Sequence, residues 1–351
     1  MHILVIRFSA MGDVAMTVPV IRNLLHQHPS LRITFVSNAF LAPLFDGIER
    51  CQFFPAHLKE RHKGLRGMYG LYRELAALPR FDGVADLHNV LRSRILGLFF
   101  KKAGLKVSVL DKGRSEKKAL TRKDNKECRQ LTPMHDRYQQ VFAQLGLPVF
   151  SYQDIQPVKK NIPTALLPVF ATGKPVIGVA PFAQYREKMY PLEKMKSVVQ
   201  QLAAANNVVL LFGGGPEETA VLQQWEQDIF SVFNIAGRYT FQDELAIISN
   251  LNLVVSMDSA NMHFASIFNV PVVSVWGATH PFAGFYGWRQ PLENAVQVDL
   301  YCRPCSVFGN KPCYRGDHAC MNTLDEALII AKVNQVLLAG GNPNATSTLH
   351  R

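Results

Sequence analysis

A Gly-Asp pair lies where a short apolar run gives way to a helical pattern near the start of the chain. The stretch SAMGDVAMTVP covers residues 9–19 and follows the apolar run HILVI at 2–6. A carboxylate at this point can cap the helix by accepting backbone N–H groups, or it can act as a general base at the end of a strand. Both hypotheses for Asp13 remain open on these residues alone.

A second loop of this kind occurs late in the chain, within VVSMDSANMHFAS. Asp258 and Ser259 follow an apolar strand pattern, and His263 comes five residues after Asp258, on the first turn of the predicted helix. A helix N-terminus presents free N–H groups and the positive end of its dipole, which suits a phosphate or a diphosphate. The alternative is that Asp258 or Ser259 only caps the helix.

Two further loops after predicted strands carry candidate ligand groups. LFGGGPEET at 211–219 matches neither the dinucleotide fingerprint nor the P-loop, but Glu217 and Glu218 can hold ribose hydroxyls. AQYREKMYP at 183–191 supplies Arg186 and Lys188, and a lysine beside a diphosphate offsets the charge on a departing nucleotide. For the first loop, the alternative is a tight turn whose acidic residues interact favourably with the helix dipole. For the second loop, the alternative is a solvated surface loop.

Short apolar strands that alternate with amphipathic helices position these loops. The pattern predicts strands at 2–6, 32–37, 83–88, 106–110, 174–182, 207–215, 251–259 and 270–277, and helices near 13–27, 191–205, 217–229, 243–250 and 261–268. Strands that are apolar throughout indicate parallel sheets covered on both faces. Ligands of such sheets bind beyond the carboxyl ends of the strands, where the unusual loops lie.

The fold class expected from this pattern is α/β, with two Rossmann-like domains facing each other across a cleft. The chain of 351 residues, 48% of them hydrophobic, is long enough for two cores. The Pro-rich stretch after residue 152 predicts the join. The expected divisions are an N-terminal domain over 1–160, a linker over 161–175, a C-terminal nucleotide-sugar domain over 176–325, and a helix and tail over 326–351.

The net charge of +11 indicates an anionic partner, and much of it is concentrated in one segment. Residues 101–126 hold ten Lys or Arg against three Asp or Glu. Such a run attracts an anionic membrane surface by roughly 1 kcal/mol per residue near it; the alternative is a disordered, solvated loop. A nucleic-acid-binding module is disfavoured because no motif of that class is present. A NAD-dependent enzyme is disfavoured because the G-x-G-x-x-G motif is missing.

The chain opens directly in a strand pattern, so we expect an unprocessed, cytosolic protein. Its apolar runs fall far short of the roughly 20 residues that span a bilayer, so membrane contact is expected to be peripheral. Four cysteines have spacing typical of a zinc site in a cytosolic protein, and the alternative is a set of reduced, partly buried thiols. They are Cys302, Cys305, Cys313 and Cys320.

Four segments resemble the ADP-heptose:lipopolysaccharide heptosyltransferases of glycosyltransferase family 9. RFSAMGDVAMTVPVI is similar to the N-terminal signature of that family, and SMDSANMHFASIFNVPVVSVWGATHP is similar to its second signature. FDGVADLHNVLRSRILG resembles an Asp-Leu-Gln/His stretch, and HDRYQQVFAQLGLP resembles an Arg-Tyr…Leu-Gly segment. The resemblance covers most of residues 1–325 in the right order.

The resemblance implies a GT-B architecture and an inverting transfer of heptose from ADP-heptose to a hydroxyl of the lipopolysaccharide inner core. It implies no metal or other cofactor for the reaction, and the chain has no Asp-x-Asp motif. Asp13 matches the general base, and Lys188 matches the lysine on the diphosphate. The donor-binding residues expected are Ser9, Gly12, Glu217, Glu218, Asp258, Ser259, Ala260 and His263.

An anionic, Kdo-bearing lipid acceptor implies basic groups to hold it, and an enzyme located on the inner face of the inner membrane. The expected acceptor-binding residues are Arg61, Lys63, Arg92 and Arg94. Two departures from the family concern the donor pocket: Ala260 replaces the usual glycine, and Ala183 replaces a hydroxyl residue. Alternatives are a donor other than ADP-heptose, or a nucleotide-sugar epimerase or hydrolase on the same fold.

Overall fold

The computed structural model describes residues 1–150 and 155–340, which form two compact units. The first unit comprises residues 1–114 and 132–156, and the second comprises residues 115–131 and the chain from 157 onward. Each unit is built on a fully parallel sheet with helices packed on it. The predicted fold class of two Rossmann-like α/β units is therefore confirmed.

The first unit contains a five-stranded sheet in the order β3-β2-β1-β4-β5. Its strands are β1 (His2–Ile6), β2 (Arg32–Asn38), β3 (Cys51–Ala56), β4 (Gly83–Asp86) and β5 (Lys106–Val109). Its helices are α1 (Met11–Ala15), α2 (Thr17–Gln27), α3 (Gly64–Ala76), α4 (Leu91–Lys102) and α6 (Met134–Gln144), and a 3₁₀ helix covers Ala39–Phe45.

Helices α3 and α4 cover one face of this sheet because their apolar residues recur at helical spacing. Met68, Leu71 and Leu75 of α3 join a buried cluster with Leu4 and Ile6 of β1. Leu96 and Phe100 of α4 belong to the same cluster. The opposite sides of both helices remain exposed to solvent and carry basic residues.

The second unit contains a six-stranded sheet in the order β11-β10-β9-β6-β7-β8. Its strands are β6 (Val176–Ala180), β7 (Val208–Leu211), β8 (Val232–Asn234), β9 (Leu253–Met257), β10 (Val272–Trp276) and β11 (Ala295–Gln297). Its helices are α7 (Leu167–Phe170), α8 (Leu192–Ala204), α9 (Pro216–Asp228), α10 (Phe241–Ile248), α11 (Ala260–Ser266), α12 (Ala319–Asn322) and α13 (Glu326–Gly340). Helix α5 (Arg114–Leu120) begins at the boundary between the units.

Each sheet has one point at which the strand order reverses direction. In the first unit this point lies between β1 and β4, and in the second it lies between β6 and β9. The loops that leave adjacent strands in opposite directions open a crevice there, where doubly wound sheets bind ligands. The order of the strands therefore predicts that ligand-binding residues lie in four loops, which are those after β1, β4, β6 and β9.

The predicted strands and helices correspond closely to the observed ones, with instructive exceptions. The helix expected at 13–27 is two helices, α1 and α2, that meet at Met16. Strands β3, β8 and β11 were not predicted from the sequence. Two of them have only three residues, β3 contains Pro55, and all three lie at or next to a sheet edge, where the apolar pattern is weakest.

The predicted domain division is wrong for residues 115–131, which belong to the second unit. Leu120 and Leu131 pack in an apolar cluster with Ala283, and Lys126 Nζ donates to the carbonyl oxygens of Cys302 (2.7 Å) and Pro304 (2.9 Å). The expected linker at 161–175 contains a 3₁₀ helix and α7, within the second unit. The tail predicted after α13 lies outside the described residues.

The alternative of a disordered loop at 101–126 is also wrong. This segment contains the end of α4, strand β5 and helix α5. Lys117 is only 5% exposed, and its ammonium group lies 4.1 Å from the centroid of the Phe285 ring. Lys117 and Lys126 therefore hold the second unit together instead of adding to a basic surface. None of the described helices is long and apolar enough to cross a membrane.

We predict opposite effects for alanine at two glycines of α3. A Cβ atom on Gly67 would lie 2.7 Å from the Cα atom of His62, so Gly67→Ala must displace the backbone of the 57–63 loop. A Cβ atom on Gly70 would have nothing within 4 Å. Gly67→Ala should lower the free energy of unfolding by about 1–3 kcal/mol, and Gly70→Ala should raise it by about 0.5–1 kcal/mol. Urea unfolding measures both, and equal effects would contradict the packing described.

Candidate active site

Arg7 is the centre of a polar cluster at the strand reversal of the first unit. It follows β1 directly and is 5% exposed. Its Nη1 donates to the carbonyl oxygen of Leu87, just after β4, at 2.6 Å, and its Nη2 lies 2.7 Å from Oδ2 of Asp13. The guanidinium carbon lies 5.9 Å from the centroid of the Tyr138 ring. A buried guanidinium group with a carboxylate, a carbonyl and an aromatic face as partners has a fixed position.

The carboxylate of Asp13 is oriented by Arg7 and by the start of its own helix. Oδ2 accepts the N–H of Ala10 at 3.4 Å in addition to the ion pair with Arg7. The N–H of Met16, at the C-terminal end of the same helix, donates to the carbonyl oxygen of Gly12 and not to the Asp13 carboxylate. Within residues 1–150 and 155–340, Oδ1 of Asp13 makes no hydrogen bond or ion pair, and the side chain is 26% exposed.

Asp86, at the end of β4, fixes the loop that faces Arg7. Its Oδ1 accepts the N–H groups of His88 (2.9 Å) and Asn89 (2.8 Å), and its Oδ2 accepts the hydroxyl of Ser93 (2.9 Å). Burial raises the pKa of Asp86, and these three hydrogen bonds and Arg7 act in the opposite direction. Asp86 is therefore a structural carboxylate, with each oxygen already occupied.

His88 is a neutral imidazole beside Arg7. Burial, with Arg7 and Lys112 as the nearby positive charges, lowers the pKa of His88 to about 3. Its Nδ1 accepts the N–H of Phe8 at 3.3 Å, which assigns the ring proton to Nε2. His88 is not among the predicted site residues, because nothing in the sequence shows that it meets the loop after β1.

The predicted acceptor-binding residues lie at two places on the first unit. Arg94 Nε donates to Oδ1 of Asn89 at 2.7 Å, which brings it to the loop of His88, and Arg92 is exposed on the first turn of α4. Arg61 pairs with Glu74 at 3.3 Å, and Lys63 is exposed at the start of α3. Ser9 is exposed in the loop after β1, and Gly12 directly precedes Asp13 in α1.

Lys188 and Asp258 form an ion pair at the strand reversal of the second unit. Lys188 ends a 3₁₀ helix (Arg186–Lys188) in the loop after β6, and Asp258 directly follows β9. Lys188 Nζ lies 3.0 Å from Oδ2 of Asp258, with side-chain exposures of 14% and 10%. The two candidates, 70 residues apart in sequence, are thus brought together, as the strand order requires.

The remaining donor-site candidates near Asp258 differ in their hydrogen bonds and in their burial. The Ser259 hydroxyl lies 3.1 Å from that of Ser256, so it does not cap α11. His263 is buried within α11. Ala260 is the first residue of α11, a helical position where alanine is sterically acceptable in place of glycine.

The glycine-rich loop after β7 is closed by one of its two predicted glutamates. Glu218 Oε2 accepts the N–H of Gly214 at 2.7 Å, whereas Glu217 is exposed on the first turn of α9. Gly215 has a φ of 86°, a left-handed conformation that favours glycine. This loop therefore has a fixed shape, and Glu217 is the carboxylate that faces solvent.

Residues 302–313, which contain Cys302, Cys305 and Cys313 and are called the cysteine-rich loop below, support Lys188, a role that the sequence did not reveal. Gly309, with a φ of 75°, packs against the aliphatic part of the Lys188 side chain, which leaves no space for a Cβ atom. Ala278 connects the two loops: its N–H donates to Glu187 O (3.2 Å), and its carbonyl oxygen accepts Cys305 N (3.0 Å).

The four predicted zinc ligands line one pocket, together with Arg303. Among the residues that the structure describes, no three His, Cys, Asp or Glu side chains are placed to hold a metal ion. Burial raises the pKa of Cys320 to about 11 and also raises that of Cys305, whereas zinc binds thiolates. The structural zinc stays a prediction, which metal analysis of protein purified without chelator tests.

Comparison with known proteins identifies the family. Residues 68–312 match the family model of glycosyltransferase family 9 (heptosyltransferase). The chain is 29% identical over 112 residues to lipooligosaccharide heptosyltransferase 2 of Campylobacter jejuni, a match that spans 32% of this chain and 34% of that relative. It is 22% identical to the lipopolysaccharide core heptosyltransferase OpsX of Haemophilus influenzae, over 84% of this chain and 82% of the relative.

A solved structure shows the same fold. The Escherichia coli heptosyltransferase WaaC with ADP superimposes with a TM-score of 0.68 and 16% identity, covering 96% of this chain and all of that one. The chain therefore spans about a third of the length of the Campylobacter relative in sequence, but nearly all of WaaC in fold. With more than half of its residues matched by the family model, this chain belongs to glycosyltransferase family 9, the heptosyltransferases.

Proposed function

We propose that this protein transfers a heptose from ADP-heptose to a sugar hydroxyl of the lipopolysaccharide inner core, with inversion and without a metal. The observation that carries the proposal is the state of Asp13: one carboxylate oxygen is held by buried Arg7, and the other makes no hydrogen bond or ion pair among the described residues. Such a carboxylate is oriented for proton transfer and keeps one oxygen available to accept the proton.

In this mechanism the first unit activates the acceptor. The attacking hydroxyl loses its proton to Oδ1 of Asp13 as its oxygen bonds to the anomeric carbon from the face opposite the leaving group. Arg7 keeps Oδ2 engaged, so the carboxylate presents Oδ1. His88 is unsuited to the base role because its Nδ1 already accepts Phe8 N–H, and its Nε2 carries the proton.

The second unit stabilises the departing nucleotide. The bond between the anomeric carbon and the diphosphate oxygen breaks, and negative charge accumulates on the ADP that leaves. Lys188 Nζ, held by Asp258 at the end of β9, is the cation in position to take that charge. The loop that begins at Asp258 and the first N–H groups of α11 add further donors.

The donor and acceptor classes rest on the family and on the charge of the chain. The relatives are named for lipopolysaccharide and lipooligosaccharide heptose transfer, and WaaC was solved with ADP. The net charge of +11 suits an anionic acceptor and an anionic membrane surface. We therefore place the enzyme in the cytoplasm, peripherally on the inner face of the inner membrane, with Arg92 and Arg94 as candidate acceptor-binding groups near His88.

Product analysis tests the proposal directly. The purified chain is incubated with ADP-heptose or with UDP- and GDP-sugars, each with and without a Kdo-lipid A acceptor, and the products are resolved by mass spectrometry. We expect a heptosylated lipid only when ADP-heptose and the acceptor are both present, and no loss of activity with EDTA. Turnover of the nucleotide sugar without acceptor would instead support an epimerase or a hydrolase.

Asp13→Asn should lower kcat by about 10²- to 10⁴-fold while the affinity for ADP-heptose stays unchanged. The amide keeps the size of the carboxylate but cannot accept the proton. Asp111→Asn is a matched control, because Asp111 also pairs with a buried arginine of the first unit, Arg137, at 3.7 Å. Steady-state kinetics and calorimetry measure the two effects, and wild-type turnover in Asp13→Asn would remove Asp13 from the mechanism.

Lys188→Ala should weaken ADP-heptose binding and lower kcat by about 10²- to 10³-fold, since it removes the cation from the leaving diphosphate. Lys196→Ala provides the control: Lys196 pairs with Asp228 at 2.7 Å on the surface of the same unit, away from the strand reversal. Both variants are compared in donor titrations and in transfer assays. Equal behaviour of the two would place Lys188 outside the site.

His88 should stay neutral throughout the physiological pH range. Its pKa of about 3 in the folded protein lies below the 6.5 of an unperturbed histidine, so the unfolded chain takes up a proton first as the pH falls. His88 therefore contributes stability that is present above pH 6.5 and is lost as the pH falls towards 3. Side-chain NMR of ¹⁵N-histidine measures the titration, and a midpoint above 6 for His88 would contradict the buried contact with Phe8 N–H.

A further inference from the structure

The outward sides of α3 and α4 combine exposed apolar residues with an uninterrupted set of positive charges. Leu65 (65% exposed) and Tyr69 (48%) project from α3, and Leu91 (75%) and Leu98 (49%) project from α4. Neither 63–73 nor 91–102 contains an Asp or Glu. Exposed basic residues accompany the apolar ones at Lys63, Arg66, Arg73, Arg92, Arg94, Lys101 and Lys102.

These side chains form one surface because of helical spacing and of the way the two helices pack. Leu65, Tyr69 and Arg73 are four residues apart, so they follow one stripe of α3, opposite the core residues Met68 and Leu71. On α4, Leu91, Arg94, Leu98 and Lys102 follow a similar stripe, opposite Leu96 and Phe100. We call this surface, formed by the exposed residues of 63–73 and 91–102, the α3–α4 face.

Aromatic contacts join the two stripes of the α3–α4 face. The Tyr69 ring lies 5.6 Å from that of Phe99, and the Tyr72 ring lies 5.5 Å from the same Phe99, centroid to centroid. The half-exposed Tyr69 thus stands between the leucines of α3 and those of α4. An amphipathic ring flanked by leucines and lysines is typical of a surface that enters the headgroup region of a bilayer.

We propose that the α3–α4 face binds a membrane surface rich in anionic headgroups, with Leu65, Leu91 and Leu98 inserted among the lipids. The inference rests on the proposed function, since it supplies the surface on which a lipid-borne acceptor reaches the first unit. Of the predicted basic segment 101–126, the face retains Lys101 and Lys102, whereas Lys117 and Lys126 face the interior of the second unit.

The charge of the α3–α4 face favours an anionic membrane over a second copy of the chain as its partner. Two α3–α4 faces brought together would oppose seven positive charges on each side with no acidic partner. A layer of anionic headgroups neutralises those charges, and its acyl region accepts the leucines. A nucleic acid would satisfy the charges but would leave the leucines without an apolar environment.

Vesicle flotation tests the proposal with two variants of the full chain. Leu65→Ser/Leu98→Ser removes apolar anchors, and Arg66→Gln/Lys101→Gln/Lys102→Gln removes charge at residues that we have not assigned to the acceptor. Phe230→Ser, which removes a 91%-exposed aromatic residue of the second unit, is the control. Each is mixed with vesicles of phosphatidylcholine alone or with added phosphatidylglycerol, and thermal melting confirms that each variant is folded.

We expect wild type and Phe230→Ser to float with the anionic vesicles and not with phosphatidylcholine, and both face variants to bind at least about tenfold more weakly. All four proteins should transfer heptose at the same rate to a water-soluble, deacylated acceptor. If the proposed function is wrong, no heptose is transferred by any of them, but their binding to vesicles can still be measured. Wild-type vesicle binding by both variants, dimers in light scattering that the variants abolish, or binding of duplex DNA in place of vesicles would overturn the proposal.

Discussion

The ion pair between Arg7 and Asp13 is the interaction on which the first unit's candidate site depends. A guanidinium group that is 5% exposed must be paired, because an isolated buried charge is costly. Arg7 meets this requirement with Asp13, the Leu87 carbonyl and the Tyr138 ring, which come from three separate parts of the chain. The same contacts that neutralise Arg7 therefore fix the carboxylate of Asp13 and connect the loops after β1 and β4.

In the second unit the nearly buried cation that needs a partner is a lysine. Lys188 and Asp258 come from the loops after β6 and β9, and each is nearly buried, so neither is stable there without the other. Support continues outward through Glu187 and Ala278 to the cysteine-rich loop, where Gly309 packs on the lysine side chain. This packing gives the cysteine-rich loop a structural role in positioning Lys188.

The positions of both sites are explained by the strand order of the two sheets more than by any single sequence motif. A parallel sheet whose strand order reverses opens a crevice at the carboxyl ends of two central strands, and each polar pair lies at such a point. The outer residues of the surface helices are not part of either polar pair or of the core. On the first unit, α3 and α4 carry exposed leucines and basic residues on their outward sides.

The amino-acid sequence was sufficient to predict the α/β class, most of the strands and helices, and the loops that carry Asp13, Lys188 and Asp258. Apolar runs and strand-to-helix transitions are local patterns, so they can be read along the chain. The tertiary structure alone decided that Arg7 holds Asp13, that His88 is neutral, that Lys188 pairs with Asp258, and that residues 115–131 pack in the second unit. Each of these depends on which strands are neighbours and on how deeply a charge is buried, and both are set by contacts between residues distant in sequence.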